Sequence, residues 1–269
     1  MHMNKLIPLR LGAVGLAVTL LMPIAGHRAE AAQTGYETGF ETISKITTDL
    51  HEGLDSKQRA KLRSAPVLDE KLAAPALQTQ EGDGTNPIPA VHVSRGFVEL
   101  MNFISHAKAI DADSRGFLAK SMARLATDAA FPDLRAGGAR DTWSFATMNR
   151  QASHFNQMAG ALIAIDLAHF SLGHYQKYAS QLAGAQGQPI SINSFVTPAE
   201  WREAVLKGAQ SALDCGLAVD GLKVLFESID NMPSRPPWTI FLMPSGVKVG
   251  KLNRELDSIQ RKAFLSFNR

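Results

Sequence analysis

The residues best placed to do chemistry sit in one apolar stretch, 153–182. They are Asp166, His169 three positions later, His174 five beyond that, and His154 near the start. Positions three apart share a face of a helix. A carboxylate and an imidazole so placed can act together as metal ligands. They can also satisfy one another by a hydrogen bond in an apolar interior, where leaving either alone is costly. For a lone Asp–His pair the hydrogen bond is the commoner outcome. On a continuous helix His174 lies about 140° around from His169, and His154 lies about four turns earlier, so neither is expected to reach the same ion as His169.

Other candidate groups are scattered. His92, His106, Glu203 and Asp214 could converge only through the fold. Glu99 and His106, seven apart, share a helix face, and a bundle site built from Glu99, His106, Asp166 and His169 is conceivable. Di-metal bundles, however, use two Glu-x-x-His motifs, and here there is one Asp-x-x-His. Cys215 is the sole cysteine, so no intrachain disulfide can form, and an inert packing role is expected. Neither G-x-S-x-G nor G-x-x-x-x-G-K-[ST] occurs, which removes the nucleophile-elbow and phosphate-loop chemistries. Trp143, Trp201 and Trp238 are expected as packing residues.

Holding Asp166 and His169 requires a long buried helix. Phe155, Met158, Leu162, Ile165, His169, Leu172 and Tyr175 fall near one face of 153–182, and Ile163, Leu167 and Phe170 cover others. A helix apolar nearly all round is buried. Gly184, Gly187 and Pro189 end it. Around it the pattern predicts helices over 97–107, 114–129, 197–213, 217–229 and 251–264, with a short charged helix over 56–62. Thr197-Pro198-Ala199-Glu200 is a helix start, with Thr as N-cap, Pro at N1 and Glu at N3. Val91 and Val93 alternate with His92 and Ser94 as in a short strand. Residues 32–50 read as a loosely held lead-in or short helix, and 73–89, rich in Ala, Gly, Pro and Gln, as a linker. Pro132 and Gly137-Gly138 should break the chain before Trp143, and Pro233 to Pro237 form a loop. The fold class is mainly α with at most a few short strands.

The run Met158 to Tyr175, MAGALIAIDLAHFSLGHY, resembles the zinc helix of gluzincin metallopeptidases of the HtpX and CAAX-protease type. There an apolar lead-in is followed by H-E-x-x-H and often by Gly-His. Ile165-Asp166-Leu167-Ala168-His169 stands at the pentapeptide, and Gly173-His174 follows. Val93 to Leu100 resembles the segment that precedes that helix in the family, and Ala212-Leu213-Asp214 with Gly216 resembles its Glu-Ala-Asp segment. The resemblance implies a zincin-like helical domain, with Asp166 as catalytic base and His169 and His174 as candidate metal ligands. The departures matter: Ile165 replaces the first His, Asp166 is one methylene shorter than the Glu base, and Ala212 stands at the third-ligand Glu. Zinc hydrolysis needs three protein ligands and an activated water. No resident cofactor is therefore expected, with zinc the one candidate. A non-catalytic scaffold that binds a peptide or an envelope protein is the expected function. An active peptidase using His169 and Asp166 is the alternative.

The N-terminus reads as a secretory signal over residues 1–31. Lys5 and Arg10 precede an apolar run from Leu11 to Ile24, and Ala29-Glu30-Ala31 offers small residues for cleavage. The run is shorter than the roughly 20 residues a spanning helix needs, so no stable membrane span is expected after its removal. A periplasmic or secreted location follows. Of 28 Lys+Arg and 25 Asp+Glu, residues 1–31 hold Lys5, Arg10, Arg28 and Glu30, leaving 25 against 24. That near-neutral remainder has no basic cluster, so nucleic acid is not an expected partner. The organisation expected is a signal peptide over 1–31, a lead-in and linker over 32–89, and a helical metallopeptidase-like domain over 90–269. With 45% hydrophobic residues, this length can bury its own core without disulfides.

Overall fold

The computed structural model describes residues 35–82, 87–127, 143–184 and 190–267. The expected signal peptide lies outside them, as do the expected breakers Pro132, Gly137, Gly138, Gly187 and Pro189. Residues Gln33–Arg269 form one compact unit. Its elements run α1 (Gly35–Glu52), α2 (Ser56–Arg59), β1 (Val67–Asp69), β2 (Leu77–Gln80), β3 (Ala90–Ser94), α3 (Arg95–Asp111) and α4 (Phe117–Thr127). There follow α5 (Phe145–Ser171), α6 (His174–Lys177), α7 (Ala179–Ala183), a 3-10 turn at Ile192–Ser194, α8 (Pro198–Asp214), α9 (Asp220–Asp230), a 3-10 turn at Pro237–Phe241 and α10 (Val249–Phe267). The protein is mainly α, with one small sheet among the described residues. Among the same residues no helix is long and apolar enough to cross a membrane.

Helix α5 is the axis of the core. Every residue from Met158 to Phe170 is buried, as its all-round apolar composition requires. Its start is fixed by Ser144, whose hydroxyl accepts from the Thr147 N–H. Helices α1, α3, α8 and α9 pack around it, and β2 and β3 lie against it. Helix α8 crosses it closely. A Cβ on Gly208 would sit 2.6 Å from the Ile165 nitrogen and 2.7 Å from its Cα, so only glycine lets α8 cross there. Helix α8 begins with the full capping box read from the sequence, Thr197 and Glu200 each satisfying the other's backbone N–H.

Strand β3 lies between the other two, parallel to β1 and antiparallel to β2, with Thr79 opposite Val91. The sheet thus joins strands from either side of Pro89. Leu77–Gln80 lies within the stretch expected as linker. Its alternating burial, with Leu77 and Thr79 inward, is the period-2 signal of a strand, obscured by the Pro, Gly and Gln around it. Residues 35–52 form a full helix of 18 residues with Ile43, Ile46 and Leu50 in the core, longer and more firmly packed than the loose lead-in or short helix expected. Their spacing of three and four was the signal, diluted by Gly35, Gly39 and the threonines. The charged helix over 56–62 is confined to Ser56–Arg59.

The expected helix over 153–182 is interrupted. It begins earlier, at Phe145, and stops at Ser171; Gly173 adopts φ +77°, and the chain turns into α6. That left-handed conformation is one glycine takes without steric cost. The turn decides how the candidate residues meet.

Candidate functional site

Asp166 projects from α5 toward β2 and α6. Its Oδ2 accepts a hydrogen bond from the Thr79 hydroxyl at 2.7 Å, and its Oδ1 accepts from the Tyr175 hydroxyl. The Tyr175 oxygen in turn accepts from the Thr79 N–H at 3.0 Å. The three residues close a ring drawn from α5, β2 and α6. Burial raises the Asp166 carboxyl to about 6, against the pull of the hydrogen bonds from Tyr175 and Thr79. Burial also lifts the Tyr175 phenol well above its ordinary value, and the neighbouring Asp166 adds to the effect. Hydroxyl partners suit a carboxyl poised between states, because each can donate to the ionised form or accept from the neutral one.

The Asp166–His169 pairing expected from their spacing is replaced by this ring. His169 instead meets His174, Nδ1 to Nδ1 at 2.8 Å. The 140° separation argued for a continuous helix does not hold, because the turn at Gly173 swings His174 back over the end of α5. One imidazole must donate and the other accept. Burial depresses the His169 pKa to about 3, the adjacent His174 lowers it further, and Glu200 opposes both. The His174 pKa is also lowered by burial, with Glu200 and Glu203 opposing. Glu200 accepts from Lys177 at 2.5 Å, from Tyr178 at 2.9 Å and from the Thr197 N–H at 2.8 Å. The Lys177 bond does most to hold its carboxyl well below the usual range.

Asp166 is 5% exposed, His169 1% and His174 5%, so the cluster is closed to a macromolecular substrate. On its inner side is a cavity of ≈ 20 Å³ lined by Ile165, Asp166, His169, Ser191, Asn193 and neighbouring apolar residues. Of the other candidates, Glu203 bears on His174 electrostatically, while Glu99, His106, His154 and Asp214 do not join the cluster. Glu99 pairs with Arg95 on the surface at 2.7 Å, and His106 packs its ring on Trp143 with centroids 4.2 Å apart. The conceived bundle site is therefore not assembled. His154 is half-buried, its pKa lowered by burial and by Lys108 and Arg150. Asp214 accepts from Gln210 at 2.8 Å on the exposed end of α8.

Among the described residues no three His, Cys, Asp or Glu side chains converge as a metal-holding group. The donors that do cluster point at protein partners: both Asp166 oxygens at hydroxyls, and the Nδ1 atoms of His169 and His174 at each other. Ile165 and Ala212 offer no donor atom. This set does not fit the three-ligand zinc site that hydrolysis requires. The functional partners absent from the sequence reading are Thr79, Ser191, Asn193 and Glu200, together with the hydroxyl role of Tyr175. Only Glu200 carried a local signal, its position three after an N-cap threonine.

No protein-family model matches the chain, and no curated protein or solved structure matches it either.

Proposed function

We propose that this protein is an exported, non-catalytic helical protein of zincin-like build that acts in the cell envelope by binding a peptide or another envelope protein. The observation that carries the reading is the occupancy of Asp166, the residue at the base position of the resembled motif. Asp166 is 5% exposed, and its oxygens accept from Thr79 and Tyr175 in a buried ring, away from any surface where a peptide and an attacking water would meet. Ile165 and Ala212, standing where ligands would be, point the same way. Export rests on Lys5, Arg10, the apolar run and Ala29-Glu30-Ala31.

The test is elemental analysis of dialysed mature protein with a casein digestion run with and without chelator. Neither stoichiometric zinc nor chelator-sensitive cleavage is expected. About one zinc per chain, lost together with proteolysis in His169→Ala, would overturn the reading in favour of a rebuilt peptidase. In cells, Asp166→Asn should replace the wild-type gene without loss of function, because binding needs the fold and not a proton acceptor. N-terminal sequencing of envelope material should begin near Ala32.

A further inference from the structure

The cavity beneath His169 is bounded by α5, the turn Ile192–Ser194 and the turn Pro237–Phe241. Besides Asp166, whose two oxygens already accept from Thr79 and Tyr175, three polar groups on its wall have unspent hydrogen-bonding capacity. The His169 ring gives Nδ1 to His174, and its Nε2 on the opposite edge is buried without a protein partner. Asn193 donates its Nδ2 to the Ile240 and Phe241 carbonyls at 3.0 and 3.3 Å. Those two acceptors fix the amide orientation, since a flip would set oxygen against oxygen. The remaining Oδ1 is buried and without a protein partner. Ser191, 1% exposed, accepts the Asn193 N–H at 3.1 Å through Oγ, and its own proton remains to be given.

We infer that this cavity is a binding site for a single water molecule, held by His169 Nε2, Asn193 Oδ1 and Ser191 Oγ. Size supports one guest of that kind: ≈ 20 Å³ exceeds the ~10–15 Å³ that one water requires. Three polar neighbours match the roughly three hydrogen bonds that a buried water makes. The donor–acceptor arithmetic selects water over other small guests. Asn193 Oδ1 needs a donor and the Ser191 hydroxyl needs an acceptor. His169 Nε2 accepts if its Nδ1 carries the proton shared with His174, and donates if it does not. Water, with two donors and two acceptors, satisfies all three in either tautomer. Ammonium has no acceptor for Ser191, and a halide has no donor for Asn193. Leaving each group bare in the interior would forfeit the hydrogen bond it makes to water in the unfolded chain. The water thereby ties the end of α5 to the two turns and completes the polar chain that starts at His174.

A crystal structure of the mature protein at about 1.5 Å or better tests this. One peak is expected at about 2.6–3.2 Å from His169 Nε2 and from Asn193 Oδ1, the range of ordinary hydrogen bonds. An empty cavity overturns this inference alone. A peak at about 2.0–2.1 Å from Nε2 with zinc anomalous signal overturns both it and the non-catalytic reading. In solution, oxygen-17 relaxation dispersion counts long-lived internal waters, and Asn193→Leu should lower the count by one. An unchanged count in that variant contradicts the assignment, and should the variant fail to fold, the wild-type density decides.

Discussion

Replacing Tyr175 by Phe removes one oxygen and leaves the ring, so its cost reports the hydrogen-bonded circuit around Asp166. The folded Asp166 carboxyl lies at about 6 against 3.8 when unperturbed. A raised folded value means that the native state keeps a proton which the unfolded chain has lost. Stability contributed by Asp166 therefore falls as pH rises from about 4 to about 6, and the penalty persists above. At ~1.36 kcal/mol per pH unit the penalty is about 3 kcal/mol. Tyr175 restrains it by donating to the ionised form, a bond worth roughly 1.5–3 kcal/mol, and it also satisfies the Thr79 N–H. Tyr175→Phe should then cost about 3 kcal/mol or more at pH 8. At pH 5, where the native carboxyl is mostly neutral, the cost should shrink to about 1–2 kcal/mol, chiefly the orphaned Thr79 N–H. For a domain of this size about 3 kcal/mol lowers Tm by roughly 6–12 °C. Urea unfolding of both proteins at pH 5 and pH 8 measures the difference. Equal losses at the two pH values, or a loss under about 1 kcal/mol at pH 8, would refute the circuit as the determinant of the Asp166 environment.

Asp166→Asn, which mimics the neutral carboxyl, should be at least as stable as wild type at pH 8; a large drop in its thermal midpoint would contradict the buried penalty. The His169 imidazole, with a folded pKa of about 3 against 6.5, acts in the opposite sense. The unfolded chain binds its proton first, so stability is lost as pH falls below about 6.5. His169→Leu should flatten that acid limb between pH 6.5 and 4 in denaturant titrations, and an unaltered limb would place the acid sensitivity elsewhere. Gly208→Ala puts a methyl 2.6 Å from the Ile165 backbone nitrogen. Backbone cannot yield as a side chain does, so a loss of about 1–3 kcal/mol or more is expected, and a calorimetric midpoint within 1 °C of wild type would speak against the close crossing.

What the sequence made legible was local. The capping box at Thr197 involves residues three apart, so its chemistry needs nothing from elsewhere in the chain. The buried character of α5 follows from composition around every face. The partners of Asp166 were hidden for the opposite reason. Thr79 is 87 residues away on a strand that periodicity hardly marks, and Tyr175 reaches Asp166 only because Gly173 breaks the helix. The shared-face rule correctly placed Asp166 and His169 on one side of α5, but a face shared by two residues is also open to whatever packs across it. Here β2 and α6 supplied better-matched partners. The angle drawn between His169 and His174 assumed uninterrupted helical geometry, and one left-handed glycine voids that assumption.

The Tyr175 hydroxyl on the Thr79 N–H has a consequence for association as well as for stability. Among the described residues β2 is the last strand on its side of the sheet, and the Thr79 amide is turned to Tyr175 and not to β3. An unpaired amide there would offer a template on which a foreign strand could extend the sheet. By accepting that hydrogen bond, a side chain from α6 occupies the position an intruding backbone carbonyl would take. Tyr175 thus closes this amide of the strand to pairing by a foreign backbone.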